Sequence, residues 1–169
     1  MIKLISLDTS TTRSGWAIYE NGEYIKSDVI DLHRSRKDAQ ERIDIMCREI
    51  LKILTKEKPD IVVVEKLNVS RNLNTVRELS RVIDVCYFYA LLAGNCRFQE
   101  MSPSEWRSGI GIKAKYGERQ KYKKLAQEYA IKHFKEGIND DEAEAICIGA
   151  SYVSQYLVIN KYRFEKGDE

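Results

Sequence analysis

Apolar residues come in short dense runs at the start of the chain and at helical spacing further on. Residues 2–8 (Ile-Lys-Leu-Ile-Ser-Leu-Asp) scarcely alternate and predict a central strand buried on both faces. A polar turn, Thr9 to Ser14, leads through Gly15 into a second strand, Trp16-Ala-Ile-Tyr19. Asn21-Gly22 is a hairpin signal, and a third strand follows over 23–30. Over 36–57, Ile43, Met46, Ile50 and Ile53 or Leu54 recur at the period of an amphipathic helix. Pro59 closes that connection, and Ile61-Val-Val-Val-Glu65 reads as a fourth strand. A second long helix is predicted over 75–93, with Val76, Leu79, Ile83, Tyr87, Ala90 and Leu91 on its apolar side, and a fifth strand over 96–101.

Ser102-Pro103 has the N-cap and first-position residues of a helix start. A basic helix is predicted over 118–134, and a closing helix after Gly137. Asn139 followed by Glu142 predicts a capping box there, which gives Glu142 a structural role. The order β-β-β-α-β-α-β-α-α is that of the ribonuclease H-like fold, an α/β arrangement of three antiparallel strands followed by parallel ones, five in all, flanked by helices. In it, strands one and four are neighbours, so Asp8 and Glu65 emerge side by side at one sheet end. The whole chain, 1–169, reads as one such domain.

Composition narrows the picture. Apolar residues make up 43% of the 169 positions, as in a globular chain, with no internal repeat or low-complexity tract. The longest apolar stretch, 82–94, carries Asp84 and is too short for a membrane helix. The first apolar segment halts at Asp8, so no signal peptide is expected and a cytoplasmic location is. Cys47, Cys86, Cys96 and Cys147 fall in predicted elements with no CxxC spacing, and predict reduced buried thiols. With only His33 and His133 available, a metal would be held by carboxylates, which favours a hard ion such as Mg²⁺ or Mn²⁺.

Charge is unevenly distributed. Arg107 to Lys135 holds nine Lys or Arg against two acids, and Glu136 to Glu144 holds five acids and no base. A basic stretch running into an acidic cluster suits an anionic polymer held over a metal site. A carboxylate at the end of a buried strand is costly to desolvate unless something neutralises it. Phosphodiester cleavage by two divalent ions about 4 Å apart needs three or four carboxylates. Asp8 can bridge both ions, Glu65 serve one, and Asp141 with Glu144, three apart on a helix face, the other. Asp140 and Glu144 also share a face, and spacing does not choose between Asp140 and Asp141. Taken singly, Asp141 and Glu144 are explained by the helix dipole, and Asp8 by a turn.

Four motifs in order carry a family resemblance. Leu7-Asp-Thr-Ser-Thr-Thr-Arg-Ser-Gly-Trp-Ala17 resembles the first motif of RuvC-type Holliday junction resolvases, and Lys58-Pro-Asp-Ile-Val-Val-Val-Glu65 their second acidic strand. Arg71-Asn72 and the helix to Gly94 resemble the element through which that family dimerises. Asp141-Glu-Ala-Glu-Ala-Ile-Cys-Ile-Gly-Ala150 resembles the closing helix. The resemblance implies a Mg²⁺-dependent endonuclease for four-way and other branched DNA, with two ions per site (Mn²⁺ substituting). It implies the site Asp8, Glu65, Asp141 and Glu144, choosing Asp141 over Asp140, and a homodimer through Val76, Leu79, Ile83 and Tyr87. Glu144 stands where the family more often has Asp. The family's aromatic residue shortly after the second acid has no counterpart in Lys66-Leu-Asn-Val-Ser70, and the Pro103-Ser-Glu-Trp-Arg107 turn looks more like phage-encoded relatives. Lys66, Arg71, Arg77, Arg107, Lys113, Lys115, Arg119, Lys121, Lys123 and Lys124 are the expected DNA-backbone contacts, with Tyr116 and Tyr122 interleaved.

Two other readings share the pattern. Asp8-Thr-Ser-Thr also resembles the phosphate loop of the actin-like ATPase clan, which implies a nucleotide-binding or non-enzymatic scaffold; such proteins do not need Glu65 or the acidic pair on the last helix. A monomeric RNA-processing nuclease of the same fold is the third.

Overall fold

The computed structural model describes residues 1–35, 37–67, 72–113 and 118–157. Three antiparallel strands open the chain: β1 (Lys3–Asp8), β2 (Arg13–Glu20) and β3 (Glu23–Asp31). Helix α1 (Ala39–Glu57), strand β4 (Ile61–Glu65), helix α2 (Leu73–Ala93) and strand β5 (Arg97–Met101) follow. Helices α3 (Pro103–Gly109), α4 (Arg119–His133) and α5 (Asp140–Tyr152) complete the order, and α5 runs into a π-helical turn, Val153–Leu157. The strands lie in the order β3-β2-β1-β4-β5, with β1 parallel to β4 and β4 to β5. This is the mixed sheet expected of a ribonuclease H-like chain.

Helix boundaries differ from the periodicity where a cap decides them. α1 starts at Ala39 rather than 36 because the Asp38 carboxylate accepts from Glu41 N (2.8 Å) and fixes the N-terminus. α2 starts at Leu73 rather than 75, where the Asn72 side chain accepts from Asn74 N. β2 is longer than the apolar run because Arg13 and Ser14 still pair with Asp31 and Ile30 of β3.

Alternation along the central strands divides the core into two layers. Ile5, Leu7, Val62 and Val64 face α1 and α2, where they pack with Ile43, Met46, Ile50, Leu54, Val82, Ile83 and Cys86. Leu4, Ala17, Tyr19 and Val63 face the other side, toward Ala143, Ile146, Cys147 and Ala150 of α5. Ser6, Asp8 and Glu65 share the parity of that second set.

α5 approaches the sheet closely. A Cβ on Gly15 would lie 2.1 Å from the Asp141 carbonyl oxygen, and one on Gly149 would lie 2.3 Å from the Tyr19 ring. Ser6 Oγ donates to Ala145 O and Tyr19 Oη to Ile146 O, each at 2.7 Å, which pins the helix over β1 and β2.

Three expectations are corrected. The capping box is formed at α3, by Ser102 and Glu105, and not at α5. The Asn139 side chain does accept from Glu142 N, but the Glu142 carboxylate instead accepts from Ser27 Oγ (2.6 Å) and Lys135 Nζ (2.7 Å). Cys96 precedes β5 rather than lying within it, and it and Cys47 are half-buried, while Cys86 and Cys147 are buried. Leu79 and Ile83, expected at a dimer interface, are each 5% exposed because they turn inward, Ile83 onto the α1 layer. The exposed apolar side of α2 is Leu73, Tyr87, Phe88, Leu91 and Leu92. Among the described residues no helix is long and apolar enough to cross a membrane.

Gly15→Ala is expected to destabilise the protein by about 1–3 kcal/mol, because the new methyl meets backbone of α5 rather than a movable side chain. Urea unfolding of the two proteins measures it.

Candidate functional site

The site forms where the sheet's central strands end. Leu7 of β1 pairs with Val64 of β4, so the next residues, Asp8 and Glu65, finish on adjacent parallel strands with the same facing. The first turn of α5 passes over that end. Asn139 caps it, and Gly15 admits its backbone against β2. Asp141 and Glu144, one helical turn apart, therefore point at Asp8. Carboxylate oxygens of Asp8, Asp141 and Glu144 lie within 4.8 Å of one another.

Glu65 stands beside this trio and is held from the far side. The indole Nε1 of Trp106 donates to Glu65 Oε2 at 2.7 Å. Trp106 is fully buried in the α3 turn, and the Arg107 guanidinium lies over its ring (4.9 Å to the centroid) and over that of Tyr122 (4.3 Å).

The electrostatics follow from crowding like charges in a desolvated place. Burial, then the charges of Glu144, Glu65 and Asp141, push the Asp8 carboxyl well above its ordinary value, with Lys123 opposing. Burial and Glu65 raise Glu144 to about 7, against Lys123 and Arg107.

Two cations reach into the cluster. Arg13, the first residue of β2, donates from Nε to Asp141 Oδ2 and from Nη2 to Asp140 Oδ1 (2.6 Å). Lys123 of α4 donates to Asp140 Oδ2 at 2.7 Å, and its Nζ lies 3.8 Å from Asp141 Oδ1 and 4.0 Å from Glu144 Oε2. Burial works upward on Asp140, but the hydrogen bond and charge of Lys123, with Arg13, hold it below the usual carboxylate range.

The structure thus brings Asp8, Glu65, Asp141 and Glu144 to one place, and it separates Asp140 from them by giving each of its oxygens a cation. Of the expected DNA contacts, Lys123 belongs to the acidic cluster and Arg107 to the aromatic stack. Lys121 and Lys124 pair with Glu118 and Glu128 on the surface of α4. Lys66, Arg77, Lys113 and Arg119 are exposed. Arg71, Lys115 and Tyr116 lie outside the described residues. Arg13 and Trp106 were missed. Both stand in the motifs Leu7–Ala17 and Pro103–Arg107, but no local pattern gives their partners.

No protein-family model matches the sequence, and no curated protein does. Solved structures do. The chain is similar to Thermus thermophilus RuvC in complex with Holliday junction substrate, with a TM-score of 0.69 at 13% identity over 91% of this chain and 94% of that one. It is also similar to the fowlpox virus resolvase in complex with substrate Holliday junction DNA (TM-score 0.62, 19% identity, 90% of this chain and 97% of that one). The yeast mitochondrial Holliday junction resolvase Ydc2 matches with a TM-score of 0.61 at 14% identity, over 95% of this chain and 82% of that one. The chain has the fold of these proteins.

The upward pKa shifts make stability pH-dependent in the metal-free protein. The folded state keeps a proton on Glu144 up to about pH 7, whereas the unfolded chain releases it near 4.5, so the folded state binds more protons between those values. Unfolding in urea with a chelator present is expected to need on the order of 2–3 kcal/mol less at pH 7.5 than at pH 4.5, with Asp8 acting in the same direction, and Glu144→Gln should flatten the slope. Trp106→Phe removes the donor to Glu65, and the same assay should register a loss of about 1–3 kcal/mol.

Proposed function

We propose that this chain is a metal-dependent nuclease that cuts four-way or other branched DNA, as a crossover junction endodeoxyribonuclease of recombination and repair in the cytoplasm. The observation that carries the proposal is the convergence of Asp8, Asp141 and Glu144 within ion-binding distance, beside Glu65, at the sheet end of a resolvase fold. A site built from carboxylate oxygens alone is chemically matched to hard divalent ions, Mg²⁺ with Mn²⁺ able to replace it. Asp8, Asp141 and Glu144 would hold one ion, and Asp8 with Glu65 a second. When bound, such ions supply the Lewis acidity that activates a water and neutralises the leaving oxygen.

The chain's own residues do the rest. Asp8 is central, because β1 sets it between Glu65 and the α5 pair. The indole of Trp106 donates to one Glu65 oxygen and so orients that carboxylate at the cluster. Lys123 and Arg107 put positive charge at the cluster's edge, where a phosphodiester arrives as an anion. The exposed cations Lys66, Arg77, Lys113 and Arg119 supply sequence-independent attraction for the backbone. Paired cuts across a symmetric junction call for two active sites, and a homodimer through the exposed apolar side of α2, Tyr87, Phe88 and Leu91, supplies them.

Full-length protein is expected to nick a synthetic four-way junction in Mg²⁺. Asp8→Asn and Glu65→Gln should lower the rate by at least about 100-fold, with junction binding retained by gel shift. Cleavage by Asp8→Asn at the wild-type rate would overturn the site. Tight ATP binding without junction affinity would instead favour the scaffold reading.

A further inference from the structure

Asp140 is the acid next to the proposed ligand Asp141, and neither the ion-binding trio nor Glu65 needs it. Its surroundings are nonetheless specific. Oδ1 accepts from Arg13 and Oδ2 accepts from Lys123, at 2.6 and 2.7 Å. Each of those cations also reaches a carboxylate of the trio. Arg13 Nε holds Asp141 Oδ2, and Lys123 Nζ lies 4.0 Å from Glu144 Oε2. The guanidinium of Arg13 therefore spans Asp140 and Asp141 with two parallel donors, a geometry that lysine cannot reproduce.

This places a resident positive charge on Asp141, one of the three carboxylates that converge at the site. A divalent ion arriving at the same carboxylate meets that charge, and two adjacent cations repel. Occupation of the site therefore opposes the Arg13–Asp141 contact. The Arg13–Asp140 contact need not break, because Asp140 lies outside the trio.

We infer that Arg13 and Asp140 are positioning residues that form a charge exchange at the metal site: Arg13 holds Asp141 until a divalent cation takes it, and Asp140 is the dock on which Arg13 then stays. The inference rests on the metal-site reading above and adds residues to it. Three consequences follow. Arg13 keeps the buried acids partly neutralised before the ion arrives. It competes with the ion for Asp141. Once displaced it remains at the rim of the site, tethered through Asp140, rather than swinging back onto the ligands. Asp140 restrains Lys123 in the same way with its other oxygen.

Mn²⁺ titration of the intact chain by calorimetry, at low salt and pH 7.5 without DNA, tests this independently of activity. Arg13→Gln is expected to bind Mn²⁺ about fivefold more tightly than wild type, since the competing charge is gone; the side chain is 34% exposed, which limits the effect through solvent screening. Asp140→Asn is expected to bind about threefold more weakly, because undocked Arg13 and Lys123 turn onto Asp141 and Glu144. In the Arg13→Gln background the Asp140→Asn effect should shrink, whereas a simple long-range charge effect would be the same in both backgrounds. Unchanged or weaker binding by Arg13→Gln overturns the exchange, as does an Asp140→Asn effect that is additive. Wild-type binding no tighter than that of Asp8→Asn would overturn the metal site itself.

Discussion

The structure depends on one electrostatic constraint: four carboxylates must share a desolvated corner at the end of the sheet. Asp8 and Glu65 are delivered there by parallel strands in register, and Asp141 and Glu144 by a helix whose first turn crosses them. Left alone, such a cluster would protonate or push apart. It persists because Lys123 and Arg13 enter it, because the indole of Trp106 satisfies one oxygen of Glu65, and because the sheet and α5 are locked together beneath it. The raised values of Asp8 and Glu144 come first from burial and then from the repulsion that those partners leave uncompensated.

That locking is a matter of size. Gly15 and Gly149 remove side chains at the two points where α5 comes nearest the sheet. Ser6 and Tyr19 then donate to helix carbonyls that already belong to α5, so the contact is directional as well as close. A helix held this rigidly keeps Asp141 and Glu144 at a fixed distance from Asp8 despite their mutual repulsion. Glu142, on the neighbouring turn position, accepts from Ser27 of β3 and from Lys135, tying the same helix to both. Adjacent acids on one turn thus do different work, and their different partners separate them.

Much of this was legible in the chain. Strand ends at Asp8 and Glu65 follow from apolar runs that stop on an acid, and the pairing of Asp141 with Glu144 follows from helix phase. Local rules sufficed there because the information is local. The box expected of Asn139 and Glu142 failed because a long-range partner, Ser27, competes for the Glu142 side chain. Leu79 and Ile83 could not be assigned to an inner or outer face of α2, since an apolar stripe wider than one face gives no orientation until the sheet is present. Arg13 and Trp106 were invisible for the same reason: what they do is set by residues 128 and 41 positions away along the chain.

The choice between Asp140 and Asp141 shows how such a tie is broken physically. Both lie in the first turn of α5, and both are favoured there by the helix dipole. Helix rotation turns Asp141 inward toward Asp8 and Asp140 toward the groove between β2 and α4, from which Arg13 and Lys123 approach. Asp140 receives a short charged hydrogen bond on each oxygen and stands outside the trio. Asp141 shares Arg13, and Lys123 at 3.8 Å, while lying against two other carboxylates, so a doubly charged ion there would relieve repulsion from both. The asymmetry between neighbouring residues is thus an asymmetry in what each has to gain from a metal.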